Sequence, residues 1–128
     1  MSVLEGLYYT EQHEWVKVDG DVAVIGISDH AQELLGEITY VELPEVGFAV
    51  DAGGELSVVE SSKAASDIYA PVSGEVVEVN DELESAPEQI NNDCYKDGWI
   101  CKIKVADASD VDSLMDSAAY EAFLKTVD

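Results

Sequence analysis

The stretch that decides the fold reads Val58-Val59-Glu60-Ser61-Ser62-Lys63-Ala64-Ala65-Ser66-Asp67-Ile68-Tyr69-Ala70-Pro71-Val72-Ser73-Gly74. Two strand-like runs flank a short segment of small residues, which predicts a hairpin with its turn around Lys63. Because its neighbours are small, the long lysine side chain is free to project from the tip. An amine presented in this way suits covalent attachment, since acylation removes its charge and adds an arm at a fixed point. The competing interpretation is an ordinary solvated lysine.

Strand patterns dominate the sequence on both sides of this hairpin. Glu14–Val18 and Val22–Ile27 are separated by Asp19-Gly20-Asp21, which is a typical hairpin signal. Further strands are predicted at Ile38–Leu43, within Gly47–Gly53, and at Glu55–Glu60, Glu75–Val79 and Trp99–Val105. In the last of these, Trp99, Cys101, Ile103 and Val105 are predicted to face the core, and Ile100, Lys102 and Lys104 to face outward. The chain is therefore predicted to be mainly β.

Helix signals are fewer and lie mostly towards the C-terminus. Ser28 is a predicted N-cap for a short helix that runs through Leu35 and ends at Gly36. Residues 85–90 are predicted to form a helical turn. Ser109 with Asp112 has the pattern of a capping box, which predicts a helix there. The last helix is predicted to dock on the sheets through Tyr120, Phe123, Leu124 and Val127.

Size and charge restrict the classes of function. The chain has 128 residues, which suits one domain, and no apolar run long enough to cross a membrane. Its formal net charge of −22 argues against nucleic acid and anionic membrane surfaces as partners. The same charge either steers the chain towards enzymes with basic clefts or serves solubility alone. The start, Met1 to Gly6, lacks the features of a signal or transit peptide, so we expect a cytoplasmic protein.

The sequence has no catalytic or metal-binding motif that we recognise. Cys94 and Cys101 have no Cys or His at metal-ligand spacing, and Cys101 is predicted to fill the core. His13-Glu14 could be an acid–base pair, but a pair on an early strand is more often surface decoration. His30 is predicted to be a solvated or hydrogen-bonded residue in the first turn of a helix. We therefore predict a non-catalytic protein without a metal.

Several separate motifs resemble one family, the H-proteins of the glycine cleavage system. They are Tyr9-Thr10, His13 to Val16, Gly26 to Gln32, Leu35 to Glu37, Val41 to Pro44, Glu60 to Asp67, Ala70 to Asn80, Gly98-Trp99, Lys102 to Lys104, Tyr120 and Phe123-Leu124. The resemblance implies a barrel-sandwich hybrid of two antiparallel sheets, with a lipoyl/biotinyl-like hairpin, short helices and a C-terminal helix. It implies one domain over 1–128 with the hairpin core at about 38–80.

The resemblance also implies a role for particular residues. Lys63 would carry lipoate through an amide, and Glu60 and Ala64 would flank it in the motif that the lipoylating enzyme reads. We predict that Glu14, with Asp67 as a second acidic contact, attracts the protonated amine of the loaded arm. Ser62 stands where the family usually has valine, and Cys94 where it usually has proline.

The function implied is that of a carrier in glycine catabolism. A pyridoxal-phosphate glycine decarboxylase (P-protein) would place an aminomethyl group on one lipoyl sulfur and release carbon dioxide. A tetrahydrofolate-dependent aminomethyltransferase (T-protein) would take the one-carbon unit, and a dihydrolipoamide dehydrogenase (L-protein) would reoxidise the dithiol. A lipoate ligase or a lipoyl/octanoyl transferase would load the lysine. We expect a monomer in the bacterial cytoplasm, or in the mitochondrial matrix if the chain is a processed eukaryotic one.

Other interpretations remain open from sequence alone. A biotin carrier typically has methionines beside its lysine, whereas Ser62 and Ala64 stand here. A module of a 2-oxoacid dehydrogenase would usually have flexible linkers, and none is evident. A lipoate donor that supplies 2-oxoacid dehydrogenases would share the same sequence features. A scaffold that is never modified is the remaining alternative.

Overall fold

Residues 3–127, which the computed structural model describes, form two antiparallel β-sheets with four α-helices and one 3₁₀ helix. The ends of the predicted 1–128 domain, Met1, Ser2 and Asp128, lie outside the described residues. The mainly β architecture with two antiparallel sheets, short helices and a C-terminal helix is as predicted.

The larger sheet has six strands in the order β1-β2-β3-β9-β8-β5. Their bounds are β1 Tyr8–Tyr9, β2 Glu14–Asp19, β3 Val22–Ile27, β5 Ala49–Val50, β8 Gly74–Val79 and β9 Cys101–Val105. Strands β2 and β3 form the predicted hairpin, in which Gly20 takes a positive φ of 65°.

The smaller sheet has three strands in the order β4-β6-β7, with β4 at Ile38–Glu42, β6 at Glu55–Ser61 and β7 at Ala65–Tyr69. One cluster of buried apolar side chains contains residues from both sheets, including Ile25, Val59 and Ile103. Burial of this cluster supplies most of the hydrophobic stabilisation, because it removes the apolar faces of both sheets from water.

A second buried cluster lies under the C-terminal helix and contains Tyr9, Trp15, Tyr120, Leu7 and Leu124. A Cβ at Gly26 would lie 2.7 Å from the ring of Trp15, so only glycine lets this ring pack on β3. The indole N–H of Trp15 donates a hydrogen bond of 2.9 Å to the carbonyl of Cys94. The tryptophan therefore fixes the start of β2 relative to a loop far away in sequence.

The predictions for the first and last helices are largely confirmed. Helix α1 spans Asp29–Leu35, and the Ser28 hydroxyl accepts a hydrogen bond from the Ala31 N–H, as an N-cap does. Helix α4 spans Ser117–Val127 and buries Tyr120 and Leu124. Val127 was predicted to dock but is exposed, because the last turn extends beyond the apolar cluster.

Other predictions for the C-terminal half are wrong. The residues around Ser109 form a 3₁₀ helix, Ala108–Ser113, whose N-cap is Asp107. The Asp107 carboxylate accepts hydrogen bonds from the N–H and the hydroxyl of Ser109, which lower the pKa of Asp107. A charged acceptor two residues earlier thus replaces the predicted capping box.

Two further predictions need correction. The single turn predicted at 85–90 is replaced by helices α2, Glu82–Ser85, and α3, Gln89–Asn92. Ala86 separates them, because a residue before proline avoids the α conformation. Ile100 was predicted to face outward but is fully buried, since regular alternation begins only with the strand at Cys101. Across residues 3–127, no helix combines the length and the apolar character that a membrane span requires.

Candidate functional site

Lys63 lies at the tip of the β6–β7 hairpin and is exposed. The turn is closed by a hydrogen bond of 2.8 Å from the Ser61 N–H to the carbonyl of Ala64. The Ser61 hydroxyl oxygen accepts from the N–H groups of Lys63 and Ala64, at 3.2 and 3.1 Å. The backbone of the tip is therefore held by local hydrogen bonds, while the lysine side chain projects. The predicted hairpin and its turn are confirmed.

The stem of Lys63 lies over Gly36, directly after helix α1. A Cβ at Gly36 would lie 3.1 Å from Lys63 Cε and 3.4 Å from Nζ, so glycine leaves room for the stem. The N–H of Ser62 also donates to the Glu37 carbonyl, at 3.3 Å. The tip therefore packs against the connection between α1 and β4. Gly36 was predicted to end the helix. Its close contact with the stem of Lys63 was not predicted.

Asn91 of helix α3 fixes that connection from the other side. Its amide N–H donates to the carbonyl of Gly36 at 2.8 Å and to the side chain of Gln32 at 2.9 Å. Its amide oxygen accepts from the Ile38 N–H at 2.8 Å. One side chain therefore joins the end of α1 to the start of β4, which makes the seat of Lys63 rigid.

A cleft of about 270 Å³ lies beside the tip, between the hairpin and α1. We call it the arm cleft. Its lining is mostly apolar and consists of Gln12, His13, Ile27, Ala31, Leu34, Leu35, Ala64, Ala65, Ser66 and Ile68. Because Leu35 precedes Gly36 and Ala64 follows Lys63, the stem of the lysine starts at the rim of this cleft.

Glu14 directly follows His13, which lines the arm cleft, and is 1 % exposed. One carboxylate oxygen accepts from the Thr10 hydroxyl at 2.5 Å, and the other accepts from the Tyr69 N–H at 3.2 Å. The second bond satisfies a backbone donor on the open edge of β7. The interpretation of His13-Glu14 as surface decoration is therefore wrong, because the chain after Thr10 turns both residues towards the hairpin.

Burial raises the pKa of the Glu14 carboxyl, and the hydrogen bonds from Thr10 and Tyr69 oppose that rise. Desolvation penalises the charged form of a carboxyl group, and a nearby cation would offset the penalty.

Asp67 lies on the opposite face of the hairpin from the arm cleft. It is exposed and pairs with Val58, which in turn pairs with Glu42, so the three residues form one row on the outer face of the small sheet. Asp67 and Glu42 line a separate groove of about 300 Å³. Glu60 pairs with Ala65 next to the tip and is exposed. The structure thus places Glu60 and Ala64 near Lys63, and does not bring Asp67 to Glu14.

The two cysteines and His30 occupy buried positions in the fold. Cys94 and Cys101 are free and buried, and burial raises the pKa of each thiol to about 12, which keeps both protonated. His30 is buried, with its ring centroid 4.6 Å from that of His13. Between residues 3 and 127, no group of three or more His, Cys, Asp or Glu side chains could hold a metal ion.

Comparison with known proteins places this chain in a family. The family profile described as "Glycine cleavage H-protein" matches residues 7–127. The glycine cleavage system H protein of Parvibaculum lavamentivorans is 52 % identical over 124 residues, covering 97 % of this chain and 99 % of that protein. The one of Phenylobacterium zucineum is 57 % identical over 116 residues, covering 91 % and 96 %.

A solved structure agrees with these sequence comparisons. The crystal structure of a glycine cleavage system H protein from Mycobacterium marinum superposes with a TM-score of 0.89 at 35 % identity, covering 96 % of this chain and 99 % of that one. The match over nearly the whole length includes the β6–β7 hairpin with Lys63, the β2–β3 hairpin and the C-terminal helix. The chain therefore belongs to the glycine cleavage H-protein family.

Proposed function

We propose that this chain is the lipoyl-bearing carrier of the glycine cleavage system, with lipoate attached to Lys63 as an amide. The observation that carries the proposal is an exposed amine on a backbone-fixed tip, seated on Gly36 at the rim of an apolar cleft. These residues fit the group, because the glycine leaves room for the stem and the cleft can take an apolar ring. When bound, the lipoyl group would supply a disulfide, in which one sulfur takes the aminomethyl unit while the S–S bond opens and the other sulfur becomes a thiol.

The residues of the chain perform presentation and protection. The rigid turn at Ser61–Ala64 holds the attachment point at a constant place, so an arm that starts there has a high effective concentration at any docked active site. The lining of the arm cleft excludes water from a group that rests in it, which slows hydrolysis. Glu14 provides a negative charge behind the wall, and Asp67 provides one on the outer face of the hairpin.

Membership in the glycine cleavage system implies three of the proposed partners, and attachment of lipoate implies the fourth. They are the glycine decarboxylase, the aminomethyltransferase, the dihydrolipoamide dehydrogenase, and a lipoate ligase or a lipoyl/octanoyl transferase. We expect each to have a basic entrance, since the carrier has a net charge of −22 and opposite charges accelerate association. The chain itself is proposed to be a non-catalytic monomer in the cytoplasm of a bacterium, since the relatives named above come from bacteria.

The proposed unit is a single domain with its hairpin core at about 38–80. Strands β4, β6 and β7 in this range form the small sheet, while β5 and β8 pair into the large sheet. The hairpin core therefore contributes strands to both sheets. A lipoate donor for 2-oxoacid dehydrogenases is the less favoured alternative, because the family match is to glycine cleavage proteins.

Exchange of labelled bicarbonate into glycine tests the proposal. Purified decarboxylase, glycine and labelled bicarbonate are incubated with the lipoylated chain or with the same chain left unmodified. We expect label in glycine only with the lipoylated chain, because only it can accept the aminomethyl unit. Equal exchange with the unmodified chain would reject the carrier role.

A further inference from the structure

The hydroxyl of Tyr120 joins three elements at the wall of the arm cleft. It lies 2.7 Å from Nδ1 of His13 and 2.7 Å from Oγ of Ser28. Tyr120 is fully buried in helix α4, His13 precedes β2, and Ser28 is the N-cap of α1. Since His13 and α1 both line the arm cleft, the Tyr120 hydroxyl connects the C-terminal helix to that cleft, beside the contact of the Phe123 ring with His13.

His13 has an unusual backbone conformation. It is the one non-glycine residue with a positive φ, of 72°, in the part of the chain that the structure describes. This region costs a residue with a side chain about 1–2 kcal/mol. The conformation is kept by a hydrogen bond from the His13 N–H to the Thr10 carbonyl, and by one from the Ser28 N–H to the His13 carbonyl. Such strain persists only where the surroundings fix it, and it clusters at functional sites.

The hydrogen bonds also couple the imidazole of His13 to the Tyr120 hydroxyl. Ser28 Oγ accepts from the Ala31 N–H and lies 2.7 Å from Tyr120 Oη, where either oxygen can be the donor. The Tyr120 hydroxyl can donate to His13 Nδ1 or accept from it, so this bond links the tautomer of the ring to the hydroxyl. Burial raises the pKa of Tyr120 to about 12, so the hydroxyl keeps its hydrogen at neutral pH.

We propose that Tyr120 is a positioning residue for the arm cleft: its hydroxyl fixes the orientation and the tautomer of the His13 ring, and thereby the wall that shields the loaded arm. The inference rests on the proposed carrier function and adds to it a role for the C-terminal helix. Without the hydroxyl, Nδ1 of His13 and Oγ of Ser28 lose the atom that they share, so the ring is oriented less strictly and the wall shields the arm less well.

Tyr120→Phe tests the inference, with Tyr9→Phe as a matched control. Both side chains are fully buried, and the two rings stack on each other with centroids 4.4 Å apart. The Tyr9 hydroxyl bonds to the backbone of Leu4 and to the side chain of Tyr95, and neither of these residues lines the arm cleft. The two variants therefore remove one buried hydroxyl each from the same cluster, and we expect similar losses of thermal stability.

Two readouts separate positioning from a purely structural role. In the unmodified protein, nitrogen chemical shifts of the His13 imidazole report its tautomer, and we expect them to change in Tyr120→Phe and not in Tyr9→Phe. In the lipoylated protein loaded from glycine, mass spectrometry follows the loss of the aminomethyl unit after the decarboxylase is removed. We expect the loaded arm to be lost about fivefold faster in Tyr120→Phe, the factor given by the loss of one hydrogen bond.

A second variant keeps the inference testable if Tyr120→Phe does not fold. His13→Asn keeps a residue that tolerates the left-handed conformation and removes the ring, so it should also shorten the lifetime of the loaded arm. If wild type loads normally and Tyr120→Phe matches it in lifetime or in the tautomer of His13, the inference is overturned. A wild-type chain that cannot be loaded at all would instead overturn the proposed function, and the inference with it.

Discussion

The turn around Lys63 is closed by hydrogen bonds between residues two or three positions apart, whereas the cleft beside it depends on contacts that span most of the chain. Ser61 alone bonds to Lys63 and Ala64. In contrast, the bond from the Tyr69 N–H to Glu14 spans 55 positions, and that between His13 and Tyr120 spans 107. The difference is one between presenting a group and sheltering it. Presentation needs a short rigid loop, and shelter needs several elements packed around one space.

The largest expected effect is at the tip. Lys63→Arg keeps the charge and the exposure but removes the amine that forms the amide, because a guanidinium is not acylated in this way. We expect no lipoylation and no bicarbonate exchange above background, with an unchanged Tm. Lys96→Arg, at another exposed lysine, is the matched control and should behave as wild type. Normal exchange with Lys63→Arg would show that the tip is not the attachment point.

The next effect is expected behind the cleft wall. Glu14→Gln keeps acceptor and donor groups for Tyr69 and Thr10 but removes the charge, so the amine of the loaded arm loses its attraction. The lifetime of the loaded arm should fall about tenfold, which corresponds to about 1.4 kcal/mol, while lipoylation stays normal. Glu11→Gln, an exposed carboxylate in the same turn, is the control. Equal lifetimes for Glu14→Gln and wild type would show that Glu14 does not attract the amine of the loaded arm.

The pH dependence of stability sharpens the contrast between buried and exposed carboxylates. The pKa of Glu14 is raised above its ordinary value of 4.5, first by burial, so the folded state keeps this proton to a higher pH than the unfolded state. The free energy of unfolding must then fall as the pH rises from 4.5 through the raised folded value. Compared with Glu14→Gln, wild type should lose stability across this window.

Urea unfolding of both proteins over a series of pH values from acid to neutral measures this difference. Glu11→Gln corrects for the many carboxylates that titrate in the same range, because Glu11 is exposed. A difference between wild type and Glu14→Gln that stays constant with pH would mean that the buried carboxyl is not perturbed in the folded state.

The smallest effect concerns the turn itself. Ser61→Ala removes the acceptor for two backbone N–H groups at the tip, at a cost of about 0.5–1.5 kcal/mol. We expect a slightly lower Tm and a lipoylation rate reduced by a few-fold, since the lysine is less well presented. Ser62→Val, at the neighbouring exposed position, should leave both quantities unchanged. A larger loss with Ser62→Val than with Ser61→Ala would contradict this description of the turn.

The same difference explains how much the sequence could predict. The hairpin at Lys63, the β2–β3 hairpin and the Ser28 cap were all predictable, because each depends on residues close together in sequence. The burial of Glu14 was not, since its partner Tyr69 lies on a strand that alternation alone cannot place beside it. The positive φ of His13 left no signal either, because histidine does not mark that conformation as glycine does.

The resemblance to the family supplied some of the site residues that local patterns do not indicate, but not their arrangement. It pointed to Glu14 and Asp67 together, but pairing in the small sheet turns Asp67 to the outer face of the hairpin. The roles of Gly36 and Asn91 under the lysine were missed for a similar reason. Both act through contacts between α1, α3 and the tip, and no single segment contains them.

The central claim is that the Lys63 amine carries the lipoyl group, and mass measurement tests it most directly. The chain is produced with lipoate available, and its intact mass and its peptides are compared with those of Lys63→Arg. We predict one added lipoyl group per chain, located on the peptide that contains Lys63 and absent from the variant. A chain that supports glycine cleavage while the peptide with Lys63 remains unmodified would contradict the account.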